Sequence, residues 1–185
     1  MTEPEGQVLL KLARETIAES LGGPKVEQPG DAFLKAPGAV FVTLRDPSGE
    51  LRGCIGSILA HRPLLEDVQH NAIAAASQDP RVMPVRADEL PGLRIEVSVL
   101  SALEPLEVTS EEDALRKIRP GVDGIELSAM GRRAVFIPKM WDQLADTREF
   151  LRYLRMKAGL PKGWADGTKL RRFTAETFGD PEAMA

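Results

Sequence analysis

The sequence predicts an α+β fold, with a mostly antiparallel sheet or sheets and packed helices, and three observations carry that expectation. Two pairs of extended segments, Ala39–Leu44 with Leu51–Ile58 and Ile125–Leu127 with Ala134–Ile137, are joined by turn chemistry. Segments with helical apolar spacing stand beside them. Finally, 185 residues with 43% apolar and 28% charged content suit one globular domain over residues 1–185, at most bilobed.

The elements follow in order. Val8, Leu9, Leu12, Ile17 and Leu21 fall on one helical face, and Gly22-Gly23-Pro24 stops that helix. Gln28–Pro37 reads as loop. Ala39–Leu44 is rich in β-branched residues, Asp46-Pro47-Ser48-Gly49 turns the chain, and Leu51–Ile58 returns as the second strand of a hairpin. Pro63 suits a first helical position, and Leu64, Leu65, Val68, Ala72, Ala75 and Ala76 continue at helical spacing to Asp79-Pro80. The small alanine face implies close packing on a sheet. In Leu93–Leu100, Ile95, Val97 and Val99 alternate with Arg94, Glu96 and Ser98, the mark of a strand.

Glu111–Ile118 predicts a short helix, and Pro120-Gly121-Val122-Asp123-Gly124 a turn. Met130-Gly131-Arg132 joins the second hairpin. Asp146 followed by Glu149 resembles a capping box for a helix through Ala158, with Phe150, Leu151, Leu154 and Ala158 as its apolar stripe. Lys169–Phe178 alternates weakly, as a last edge strand would.

Composition excludes several classes. A single cysteine allows no internal disulfide and fits a reducing compartment, so the expected location is cytoplasmic. No apolar run approaches the roughly 18 residues of a membrane span. Net charge is −4, yet Gly131–Arg172 holds eleven Lys and Arg against four acids, which leaves the remainder strongly acidic. Arg148, Arg152 and Arg155 share one helical face there, as phosphate contacts to nucleic acid would require, but stacking aromatics are scarce and a solvated face is the simpler account.

The chemistry-bearing run is Leu51-Arg52-Gly53-Cys54-Ile55-Gly56-Ser57. On an extended strand Arg52, Cys54 and Gly56 share a face, and an arginine beside a thiol favours the thiolate. Gly53 and Gly56 suit a bulge or a close approach by another group. The opposing account makes Cys54 a small buried hydrophobe. His61 and His70 are the only histidines; His61 lies in a loop and His70 opposite the core stripe, so a Cys–His dyad is poorly supported and no metal-ligand spacing exists. Glu96 lies mid-strand in an apolar stretch, where a carboxylate is either paired, functional or on a solvent-facing side. If its strand neighbours Leu51–Ile58, then Glu96, Ser98, Arg52 and Cys54 share a polar face. Asp79-Pro80-Arg81 follows a helix end, where an exposed Asp and Arg can simply cap the turn.

On these residues the chain resembles the AMMECR family, named for a human chromosomal region linked to Alport syndrome, and within it the prokaryotic branch called AmmeMemoRadiSam system protein A. The resemblance rests on Phe41–Leu44, Leu51–Ser57, Asp79–Arg81, Ile95–Leu100, Pro120–Gly124 and Lys157–Pro161 with Trp164. It implies two unequal lobes with the Leu51–Ser57 residues near the groove between them, and no established reaction. It also implies association with a Memo-like protein and a radical S-adenosylmethionine enzyme. Where the family pattern suggests Leu-Pro-Gln-Val-Trp this chain has Ile137-Pro138-Lys139-Met140-Trp141, and Val82 replaces a phenylalanine. The expectation is therefore an accessory or ligand-binding protein, without cofactor or metal, whose groove is lined by Arg52, Gly53, Cys54, Gly56, Asp79, Arg81 and Glu96. The alternative is an enzyme with Cys54 as nucleophile, Arg52 stabilising the thiolate and Glu96 as acid or base.

Overall fold

The computed structural model describes residues 1–180 and divides the chain into two compact units. The first comprises Met1–Leu100 with the C-terminal stretch from Glu176, the second Ser101–Ala175.

In the first unit, helix α1 (Glu3–Ser20) begins five residues earlier than its apolar stripe announces. Thr2 accepts from the Glu5 backbone amide while the Glu5 carboxylate accepts from the Thr2 amide, a reciprocal cap that extends the helix past its apolar residues. Strand β1 (Pro37–Gly38) pairs only with β4 (Arg62–Pro63). The expected loop before β1 contains a 3-10 turn, Ala32–Lys35, that buries Leu34. Strands β2 (Val40–Arg45) and β3 (Leu51–Gly56) form the expected hairpin. Helix α2 (Leu64–Ser77) starts just after Pro63, which is its N-cap and not its first residue. Strand β5 (Arg94–Leu100) pairs antiparallel with the opposite side of β2.

Both helices cover one face of this sheet. Leu9, Leu12 and Ile17 of α1 and Val68, Ala72 and Ala75 of α2 pack with Val40, Val42, Leu44, Ile95 and Val97. Burying one such aliphatic side chain contributes about 1.5–3 kcal/mol, so this layer dominates the unit's stability.

The second unit holds β6 (Glu104–Leu106), α3 (Glu111–Lys117), β7 (Gly124–Ala129), β8 (Arg132–Phe136), α4 (Thr147–Lys157) and β9 (Lys169–Phe173). Its sheet order is β6-β9-β7-β8. The β7–β8 turn is tight because Met130 and Gly131 both take positive φ, 52° and 72°. Asp146 accepts from the Glu149 amide at 2.9 Å to start α4, and Phe150, Leu151 and Leu154 are fully buried.

The expected last edge strand is instead two strands. β9 is interior, between β6 and β7, and β10 (Ala175–Gly179) is an edge strand beside β5. Their alternation is weak because one segment serves two different sheets.

Candidate functional site

The Leu51–Ser57 run resolves residue by residue, and most of it is spent on folding. At Gly53 a Cβ would overlap the backbone carbonyl oxygen of Ala75, so α2 lies directly against the strand and only glycine fits. The alanine face of α2 meets the sheet here, as its composition implies. Ile55 packs into the core. Gly56 lies opposite Phe41, whose ring occupies the space a Cβ would need. Ser57 donates to Asp67 at 2.7 Å.

Asp67 is a carboxylate that the sequence reading passed over. It is fully buried, yet it accepts from the Val40 amide at 2.8 Å, from Ser57, from Arg62 Nε at 2.8 Å and from Asn71 at 3.0 Å. A charge so buried is tolerated because its lone pairs are filled and a guanidinium opposes it. The signal was present: Asp67 and Asn71 are one turn apart, interrupting the apolar side of α2.

Arg52 does not share the face of Cys54 in the simple two-residue pattern. Leu44 pairs with Gly53 but Arg45 pairs with Leu51, so a bulge leaves Arg52 opposite no residue of β2. Its guanidinium is directed to Glu89, with Nη2 2.8 and 3.0 Å from the two carboxylate oxygens. The expected role of Arg52 beside the thiol is therefore corrected.

Arg81 takes that place. Asp79 is buried, not exposed as expected, and accepts from the Cys54 amide at 2.8 Å, while Arg81 Nη2 donates to the Cys54 carbonyl at 3.1 Å. β3 is the outer strand of its sheet, so the Asp79–Arg81 pair supplies both backbone partners that a missing neighbour would have supplied to Cys54. The hydrogen bonds from Arg81 hold the Asp79 carboxyl far below the usual carboxylate range, with the Cys54 amide adding to the effect. Reciprocally, the Arg81 guanidinium is raised, first by Asp79 and further by the negative charge Cys54 carries when ionised.

With its amide turned outward, Cys54 pairs with Thr43 as a close, non-hydrogen-bonded couple across β2 and β3. Thr43 Oγ1 donates to Cys54 Sγ at 3.3 Å. Thr43 is in turn the register partner of Glu96 on β5. Cys54, Thr43 and Glu96 thus form a row over three adjacent strands, on the face opposite the helices. The strand of Glu96 does not neighbour that of Cys54; β2 intervenes, and the two residues stand two strand spacings apart, about 10 Å. Glu96 is buried at 6% exposure, which rules out its solvent-facing reading, and Arg45 Nε lies 3.7 Å from its carboxylate. Thr43, 5% exposed, is the member of the row that sequence reasoning missed, although its alternation with Phe41 and Arg45 places it there.

The histidines stand apart from this row. Both are exposed, and His61 Nδ1 is 2.8 Å from the Leu59 carbonyl. Among the described residues, no group of three or more His, Cys, Asp or Glu is arranged to hold a metal ion, and no helix is long and apolar enough to cross a membrane.

The remaining motifs are folding devices of the second unit. Trp141 stacks on Phe150 at 3.9 Å and donates its indole N–H to the Asp123 carbonyl at 2.8 Å. The Asp123 carboxylate accepts three hydrogen bonds from Arg119. Arg132 donates to the Gly159 carbonyl. The expected continuous arginine face of α4 is also broken, since Arg155 is buried and pairs with Glu111 at 3.2 Å.

Comparison with known proteins agrees with this architecture. A protein of Methanothermobacter thermautotrophicus is 40% identical, with 96% of this chain and 95% of the relative aligned. One from Thermococcus gammatolerans is 42% identical over 94% of this chain and 89% of its own length. The crystal structure of an uncharacterised protein from Pyrococcus horikoshii superposes with a TM-score of 0.86 at 37% identity, covering 98% of this chain and 94% of that one. The AMMECR1 family model matches residues 10–178, nearly the whole span that carries the two four-stranded sheets, and the chain belongs to that family.

Proposed function

We propose that this chain is an accessory binding protein of the AmmeMemoRadiSam branch, and that half-buried Cys54 and exposed Arg81 form its recognition surface, positioned from beneath by the buried Thr43 and Glu96. Its partners on this reading are a Memo-like protein and a radical S-adenosylmethionine enzyme. The observation that carries the reading is the row itself. Burying a carboxylate costs several kcal/mol before pairing, and apolar residues of similar shape at Thr43 and Glu96 would suit a buried sheet face better. Such a polar line, lying directly beneath Cys54 and Arg81, supports a recognition role for those two residues. Binding is favoured over catalysis because Glu96 is separated from the thiol by a strand. The test is anaerobic affinity capture with the full chain as bait. Co-elution of both enzymes, lost in a Cys54→Ala/Glu96→Gln variant, is the expected result; failure of the unmodified chain to retain either enzyme rejects the reading.

One geometry favours a second reading, in which Cys54 is a nucleophile. Thr43 Oγ1 donates to Sγ at 3.3 Å, and Arg81 is held beside the same residue by its hydrogen bond to the Cys54 carbonyl at 3.1 Å. Iodoacetamide alkylation measured against pH separates the two. An apparent thiol pKa at or above the free value of about 8.5 removes the enzyme reading.

A further inference from the structure

The second unit contains a concavity of about 440 Å³ that the Cys54 row does not use. Its apolar part is Met156, Leu160 and Pro161, and its charged rim is Arg148, Arg152 and Lys162. Arg155 and Glu111 complete the wall, so four cations stand against one carboxylate. Their spending is unequal. Arg155 is buried and donates to Glu111 at 3.2 Å and to the Pro161 carbonyl at 3.4 Å, tying α4 to α3 and to the segment after it. Its Nε, also buried, has no hydrogen-bond partner among the described residues. Arg152 is 3.6 Å from Glu149, an exposed pair of little worth. Arg148 and Lys162 have no ion-pair partner among the described residues.

We propose that this concavity binds a small amphipathic monoanion, a carboxylate head on an aliphatic body. The volume falls in the range of small-molecule pockets. Methionine and leucine present a yielding apolar surface to the body, and the rim supplies an excess of positive charge to the head. Arg155 holds the wall in place before any ligand arrives, which lowers the ordering cost of binding. A nucleic-acid strand fits the arrangement less well, because it needs cations along a track and exposed stacking rings, whereas here one cationic rim borders an apolar hollow.

The probe is sodium octanoate, added to the full chain and followed by backbone amide NMR shifts, with 1-octanol as the neutral control. Octanoate is expected to shift amides between Arg148 and Gly163 and to bind about tenfold or more tightly than 1-octanol, with affinity falling as salt rises. Arg148→Glu combined with Arg152→Glu is expected to weaken octanoate by about tenfold or more, and Leu160→Ala to weaken both probes alike. Equal affinity for the alcohol and the acid, or unchanged octanoate binding in the charge-reversed chain, overturns the proposal. So does displacement of octanoate by a single-stranded RNA oligonucleotide that binds more tightly. Capture of the two enzymes through the Cys54 row is read separately, and neither result depends on the other.

Discussion

The two units use their motif residues differently. In the second, Asp123, Trp141, Arg119 and Gly159 all close on one another or on the core, through an indole hydrogen bond, a ring stack and a filled carboxylate. The fold accounts for each of these four residues. In the first, the glycines, Ser57 and Asp79 are consumed by packing and by the outer edge of β3, while Cys54, Thr43 and Glu96 form a polar line on the sheet face opposite the helices. The difference teaches that a motif's presence does not separate folding from function; subtracting what each side chain does for the fold does.

That contrast makes graded predictions. The largest loss is expected from Trp141→Ala, which removes a buried ring, its stack on Phe150 and its hydrogen bond to Asp123, at about 3–5 kcal/mol in urea unfolding. Iodoacetamide labelling of Cys54 under native conditions should be unaffected; a changed labelling rate would show that the two units do not divide the work as described. Gly53→Ala is expected to cost about 3 kcal/mol, because the obstacle is the backbone of α2 and not a flexible side chain. A cost below about 1 kcal/mol would show that α2 yields.

Asp79→Asn should cost about 1–2 kcal/mol at pH 7, a figure discounted because Arg81 is half exposed. Its pH dependence has a definite sign. The folded carboxyl titrates below its unfolded value of about 4, so its contribution is complete above that pH and is lost as pH falls toward the folded value. The stability gap between the unmodified chain and the variant should therefore narrow progressively as pH falls from about 4 toward 2, and a gap of unchanged size at pH 2 would contradict the assignment. The smallest effect is expected at the row itself: Thr43→Val should change stability by less than about 1 kcal/mol, since it exchanges one sulfur-directed hydrogen bond for a better-buried methyl.

Much of this architecture was legible in the sequence, for reasons that differ by element. The period-two pattern of Ile95, Val97 and Val99 and the alanine face of α2 reported real packing, because local periodicity and burial agree there. Where tertiary context decided, the reading failed. The capping box at Thr2 adds helix that no apolar residue marks, and β9 and β10 blur because consecutive strands join different sheets. In the site, the glycines spoke of close approach correctly. Arg52 misled because a bulge cannot be counted from alternation, and Arg81 was undervalued because its target, the Cys54 carbonyl, lies 27 residues away. Thr43 was available to the same alternation that placed Cys54, yet it joins the site only once the order β5-β2-β3 is known.

One comparison reaches the central claim most directly: denaturant stability and anaerobic retention of the two enzymes, measured side by side for the unmodified chain and for Thr43→Val and Glu96→Gln. The account predicts folded proteins with retention sharply reduced in both variants. Full retention by both, with stability intact, would contradict it and return the polar row to the fold.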